Sequence, residues 1–193
     1  MIDKYGREID YLRISLTDRC NLRCIYCMPE EGVESLSHDE ILTYDEILRI
    51  CRSAADLGIR KIKLTGGEPL VRKGCADLAK QIKAIPGIEK VTLTTNGILL
   101  ADQLDALLEA GIDAINISLD TLDPQLFKKV ARRDGLEKVF EGIEAALAHP
   151  GLPLKINSVP VIKEKENFIG IAGLAQKYPI HVRFIEMMPI GFG

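Results

Sequence analysis

The chain has 193 residues, of which 47% are hydrophobic and 27% charged, and a formal net charge of -3. This composition fits one globular domain with its own core, and the charge gives no overall signal for a nucleic-acid or membrane partner. The N-terminal residues MIDKYGREIDYLR are charged where a secretory signal needs an apolar run, and no apolar run is long enough to cross a bilayer. We therefore expect a cytoplasmic protein, and the odd number of five cysteines favours metal binding over a disulfide framework.

Strand-like alternation and helical periodicity take turns along the whole chain. The pattern predicts strands at residues 11–17, 59–65, 90–95, 112–119, 153–161 and 180–186. It predicts helices starting after Thr43 and at residues 76–84, 102–110, 124–131, 136–147 and 167–177. Thr43 and Glu46 form a capping-box pattern. The buried stripe of that first helix is predicted to contain Ile47, Ile50, Cys51 and Ala54.

Strands joined by helices are expected to be parallel and to form right-handed βα units. Six such units are fewer than the eight of a closed barrel. We therefore predict an α/β fold, a partial (βα)6 TIM-like barrel that occupies residues 1–193 as one domain. A doubly wound open sheet is the structural alternative.

The predicted strands alternate polar and apolar residues, although buried parallel strands are usually continuous apolar runs. Arg13 opposes Leu12 and Ile14 on the first strand, and Lys63 opposes Ile62 and Leu64 on the second. The same alternation places Thr94, Asn116, Ser118, Lys155 and Asn157 on polar faces. A dry core would not tolerate so many unpaired polar groups. We expect a wet ligand cavity whose Arg13, Lys63 and Lys155 suit an anion; an antiparallel sheet with one solvated face is the alternative.

Three cysteines, Cys20, Cys24 and Cys27, follow the first predicted strand with the spacing C-x3-C-x2-C. We call residues 18–27 the cysteine loop. A short loop of this kind wraps three corners of a cubane iron–sulfur cluster and leaves the fourth iron open for chemistry. The alternative is a zinc site, which would need a fourth ligand such as His38 or Cys51.

This spacing, with Tyr26 between the last two cysteines, resembles the signature of the radical S-adenosylmethionine (SAM) superfamily. The resemblance implies a 4Fe-4S cluster held by Cys20, Cys24 and Cys27, and SAM bound to the open iron. It also implies a reductant for the cluster and a 5′-deoxyadenosyl radical that abstracts a substrate hydrogen. Gly66 and Gly67 follow the second strand, where backbone groups would approach SAM closely.

Further stretches resemble one family within that superfamily, the GTP 3′,8-cyclases of molybdenum-cofactor biosynthesis. They are residues 5–7, 11–20, 63–70, 94–97, 116–120, 155–157 and 183–186. The resemblance implies that Tyr26, Gly67, Ser118 and Met188 contact SAM, although Met187 adjoins Met188 and is the alternative. It implies that Arg13, Lys63, Thr94 and Lys155 contact GTP.

Members of that family continue through a C-terminal region with a second three-cysteine cluster, whereas this sequence stops at Gly193. Cys51 and Cys75 lack the spacing of that cluster and are predicted to be small core residues. The expectation is a radical SAM core domain without the second-cluster region, incomplete for turnover on its own. The alternatives are a radical SAM enzyme acting on a peptide or other substrate, and an electron-transfer or structural metal protein.

Overall fold

The computed structural model describes residues 2–34, 36–37, 40–161 and 165–187, with the backbone alone at 165 and 166. The strands are β1 (Tyr11–Ser15), β2 (Lys61–Thr65), β3 (Lys90–Thr95), β4 (Ala114–Ser118), β5 (Leu154–Ser158) and β6 (His181–Phe184). The helices are α1 (Tyr44–Asp56), α2 (Cys75–Lys83), α3 (Leu100–Glu109), α4 (Pro124–Ala131), α5 (Leu136–Leu147) and α6 (Lys165–Lys177). A 3-10 turn covers Pro69–Val71. No helix in the described ranges has the length and apolar character needed to cross a membrane.

All six strands form one parallel sheet in the consecutive order β1-β2-β3-β4-β5-β6. A doubly wound sheet reverses direction at a switch point, and no such reversal occurs here. The parallel pairing also excludes the antiparallel alternative. The fold is the predicted partial barrel, in which strands alternate with helices and all carboxyl ends lie at one edge.

The first helix begins where the capping box predicts. The Thr43 hydroxyl accepts from the Glu46 backbone N–H, and the Glu46 carboxylate accepts from the Thr43 N–H at 2.8 Å. The buried residues are Ile47, Leu48 and Cys51. The prediction that Ile50 is buried is wrong, because 43% of its surface is exposed. The buried face of this helix is centred on Ile47, Leu48 and Cys51, so Ile50 lies at its solvent-exposed edge.

The polar alternation of the strands divides the sheet into two faces, as predicted. The apolar residues pack under the helices in one core, to which β2, β3, β4 and β5 contribute Ile62, Leu64, Val91, Leu93, Ile115, Ile117, Leu154 and Ile156. On the other face, Arg13 is in register with Lys63, and Asn116 is in register with both Thr94 and Lys155. Polar and cationic residues from five strands, β1 to β5, therefore share the inner face.

Candidate active site

The cysteine loop leaves the carboxyl end of β1 and is fastened to the end of α4. The Arg23 backbone N–H donates to the Ala131 carbonyl at 2.9 Å. In return the Arg132 guanidinium donates to the Met28 carbonyl at 3.0 Å. Arg132 adopts a left-handed backbone conformation, with φ of 52°, at the end of the helix. These contacts hold the loop backbone over the carboxyl edge of the sheet.

The three thiols of the loop are free and close enough to influence one another. Cys20 and Cys24 are half-buried and Cys27 is exposed. A hydrogen bond between Cys24 and Cys27 raises the pKa of Cys24 and lowers that of Cys27. Burial raises the pKa of Cys20, and the proximity of Cys27 adds to that effect. Three unpaired thiols on one anchored loop fit a group that takes three thiolate ligands.

The zinc alternative does not gain a fourth ligand from the described residues. Cys51 is fully buried in the core on α1, and His38 lies outside the described residues. Within the described ranges, no three His, Cys, Asp or Glu side chains are grouped as ligands of a single metal ion. In a cubane cluster each thiolate binds a different iron atom. The three sulfur atoms therefore lie farther apart than they would around a single metal ion.

The loop after β2 lies directly against the cysteine loop. The Gly67 N–H donates to the Thr17 carbonyl at 2.7 Å, and the Glu68 N–H donates to the Arg19 carbonyl at 2.8 Å. A Cβ atom at position 67 would collide with the Arg19 carbonyl and lie 2.7 Å from the Asp18 carbonyl oxygen. Position 67 therefore requires glycine because its backbone packs closely against the cysteine loop. A side chain at Gly67 would displace that loop before it met any ligand.

Glu68 is a buried carboxylate that ties β2 to β3. It accepts from the Thr95 hydroxyl at 2.7 Å, the Asn96 N–H at 2.6 Å and the Leu70 N–H at 3.1 Å. Burial raises the pKa of this carboxyl group, while the three donors favour its ionised form. All three partners are donors, so Glu68 acts as a rigid acceptor between two strand ends.

Tyr26 lies between the cysteines and reaches across to the end of β4. Its hydroxyl donates to the Asp120 carboxylate at 2.7 Å, and the other oxygen of Asp120 accepts from the Val159 N–H at 2.7 Å. Burial is the main cause that raises the pKa of both Tyr26 and Asp120. Asp120 thus joins the cysteine loop to the end of β5.

The residues predicted to contact SAM have different outcomes. Gly67 and Ser118 are exposed at the carboxyl edge. Cys24, Tyr26, Ser118 and Asp120 line a cavity of about 40 Å³, which is the scale of a water molecule rather than a nucleoside. Met188 lies outside the described residues, whereas its alternative Met187 is exposed. The SAM contacts therefore remain predictions, with three of the four candidates placed at one edge.

The residues predicted to contact GTP share the inner face of the sheet. Burial lowers the pKa of Lys63, and the nearby charges of Arg13, Lys155 and Arg183 lower it further. We call Arg13, Lys63, Lys155 and Arg183 the cation cluster. In the part of the chain that the structure describes, none of the four forms an ion pair. Thr94 lies on the same face, and its buried hydroxyl has no hydrogen-bond partner among the described residues.

Sequence analysis assigned no individual role to Glu68, Asn96, Asp120 or Arg183. Each lies within a stretch that carries the family resemblance. The first three come at or just beyond the carboxyl ends of β2, β3 and β4, where barrels of this type place their functional groups. Their position at the ends of predicted strands was the one sequence feature that could have identified them as candidate site residues. The identity of their partners depends on tertiary contacts that the sequence pattern does not contain.

Comparison with known proteins agrees with this geometry. The family model described as the radical SAM superfamily matches residues 14–173. The chain is 52% identical over 196 residues to the GTP 3′,8-cyclase of Petrotoga mobilis, covering 99% of this chain and 59% of that protein. It is 52% identical over 195 residues to the GTP 3′,8-cyclase of Clostridium perfringens strain SM101, covering 100% of this chain and 60% of that protein. The chain therefore spans about three fifths of the length of the curated relatives it matches.

Solved structures share the fold at low sequence identity. Streptococcus suis SuiB bound to S-adenosylmethionine superposes with a TM-score of 0.74 and 22% identity, over 94% of this chain and 40% of SuiB. Methylornithine synthase PylB superposes with a TM-score of 0.73 and 17% identity, over 93% of this chain and 53% of PylB. These likenesses establish the architecture of the partial barrel.

Proposed function

The chain belongs to the radical SAM superfamily, and we propose that it forms the SAM-binding and phosphate-binding part of a GTP 3′,8-cyclase of molybdenum-cofactor biosynthesis. The proposal rests on about 52% identity to such enzymes along nearly the whole chain and on the residues of the inner face. It includes GTP as substrate, a cellular reductant and a cytoplasmic location, where thiols stay reduced.

In this proposal Cys20, Cys24 and Cys27 would hold a 4Fe-4S cluster through their three thiolates. When bound, the reduced cluster and SAM supply a 5′-deoxyadenosyl radical. The chain holds the loop in place through Gly67, Glu68 and the link between Tyr26 and Asp120. Tyr26, Gly67, Ser118 and Met188 would contact SAM at the carboxyl edge of the sheet.

The cation cluster is the observation that carries the substrate proposal. It places four positive charges on the inner face with no anionic partner among the described residues. Burial lowers the pKa of Lys63, and repulsion from the other three cations lowers it further. A triphosphate would relieve that repulsion through charge-assisted hydrogen bonds. The buried Thr94 hydroxyl, which has no hydrogen-bond partner among the described residues, would be a neutral donor on the same face. A peptide substrate without acidic groups, the main alternative, would not use such a cluster.

Binding measurements with a series of nucleotides test this proposal. Calorimetry on the intact chain should show GTP binding at least a hundredfold more tightly than guanosine, because two or more charge-assisted hydrogen bonds are each worth ~1.5–3 kcal/mol. GMP should fall between them, and inorganic triphosphate should compete with GTP. Equal affinity for GTP and guanosine, or no nucleotide binding, would contradict the proposed substrate.

A further inference from the structure

Asn96 lies at the carboxyl end of β3, and the residue is 9% exposed. Its Nδ2 atom lies 2.7 Å from the Asn21 side-chain oxygen and 3.8 Å from the Cys20 sulfur. Among the hydrogen bonds of the described residues, this is the one that reaches a sulfur of the cysteine loop from a distant part of the chain. The backbone N–H of Leu22 is a second donor to that sulfur, at 3.4 Å.

The orientation of the Asn96 amide is fixed by its other contacts. Its Oδ1 atom accepts from the Ile98 backbone N–H at 3.1 Å. A backbone N–H can only donate, so the oxygen must face Ile98 and the two N–H bonds of Nδ2 must face the cysteine loop. The Asn96 backbone N–H is itself held by the Glu68 carboxylate at 2.6 Å.

We propose that Asn96 sets the reduction potential of the cluster by donating an N–H···S hydrogen bond to the Cys20 thiolate. The inference rests on the cluster of the proposed function. Reduction adds negative charge that is shared with the ligating sulfurs, so an N–H donor stabilises the reduced state more than the oxidised one. Asn96 therefore makes the cluster easier to reduce, a role separate from holding it.

Two substitutions of Asn96 remove the N–H donor to Cys20, and they differ in whether they add a negative charge. In Asn96→Asp one oxygen still accepts from Ile98, but the second replaces the amide nitrogen and brings negative charge toward Cys20. In Asn96→Ala the donor is lost without added charge. Thr95→Val is the matched control, because it removes the hydroxyl that donates to Glu68 and accepts from the Gly97 N–H in the same turn. It changes no atom of the Asn96 side chain and keeps the Glu68 carboxylate that holds the Asn96 backbone N–H.

The test is a redox titration of the anaerobically reconstituted intact chain, followed by EPR without SAM. We expect Asn96→Ala to lower the reduced-to-oxidised ratio at a fixed potential by roughly three- to tenfold, or up to about 59 mV for a one-electron couple. Asn96→Asp should shift the potential further in the same direction, and Thr95→Val should leave it unchanged. If both Asn96 variants keep the wild-type potential, or if Thr95→Val shifts it equally, the inference is wrong.

A second measurement covers the case in which both Asn96 variants fail to hold a cluster. In an Asn21→Gln variant containing 15N-labelled asparagine, where Asn96 is the labelled amide nearest Cys20 among the described contacts, pulsed EPR of the reduced cluster should detect a weakly coupled side-chain 15N nucleus. Absence of that coupling would overturn the role of Asn96 while leaving the cluster intact. Failure of wild-type protein to form any 4Fe-4S cluster would instead overturn the proposed function, and the inference with it.

Discussion

Cys20→Ala, Cys24→Ala and Cys27→Ala are each expected to abolish uptake of a 4Fe-4S cluster. The three thiols come from one anchored loop, and no other described Cys, His, Asp or Glu group is placed with them as a metal site. Losing one ligand leaves a second iron without a protein donor. Iron and sulfide analysis after anaerobic reconstitution, with the visible absorbance of the cluster, measures the effect.

Cys51→Ala and Cys75→Ala are the matched controls. Both side chains are buried in the hydrophobic core, at 0% and 1% exposure, on α1 and α2. These substitutions should lower the free energy of unfolding by about 1 kcal/mol through the small cavity they leave, but the chain should still bind four irons. Loss of the cluster in either control would contradict the assignment of Cys20, Cys24 and Cys27 as the cluster ligands. A full cluster in any of those three variants would also contradict it.

Arg13→Ala, Lys63→Ala and Lys155→Ala are each expected to weaken GTP binding by roughly ten- to hundredfold. A charge-assisted hydrogen bond to phosphate is worth ~1.5–3 kcal/mol, and partial burial of Lys63 reduces its screening by solvent. Guanosine binding should change much less, because it lacks the phosphates. Calorimetric titration of each variant with GTP and with guanosine separates the two effects.

Lys61→Ala provides the control for charge alone. Lys61 lies on the same strand as Lys63, two residues earlier, but its ammonium group is paired with Asp10 at 2.7 Å. Its loss should change GTP affinity less than twofold. If Lys61→Ala weakens binding as much as Lys63→Ala does, the effect arises from net charge and the cation cluster is not the phosphate site.

Much of the fold followed from local patterns. The bounds of β3, α4 and α5 match their predicted ranges, because each segment has a clear periodicity and a turn or cap at its ends. The other strands are shorter than predicted, since the alternating pattern extends beyond one or both ends of the hydrogen-bonded ladder. The two faces of the sheet were also predictable, because side chains on a strand alternate with a period of two.

The links that hold the candidate site were not predictable from such patterns. Tyr26 and Asp120 are 94 positions apart, and Asn96 and Cys20 are 76 apart. The constraint on Gly67 comes from the Arg19 carbonyl, which lies on a different loop. Periodicity indicates which face of an element a residue occupies. It does not indicate which distant loop packs against the end of that element.

The EPR spectrum of the reduced, reconstituted chain with and without SAM tests the central claim most directly. In the proposed function three cysteine ligands would leave one iron open, and SAM bound to that iron would change its coordination. The account predicts a shift in the g values of the reduced cluster at saturating SAM, together with 5′-deoxyadenosine in the reaction mixture. Superimposable spectra with and without SAM, and no 5′-deoxyadenosine, would contradict it.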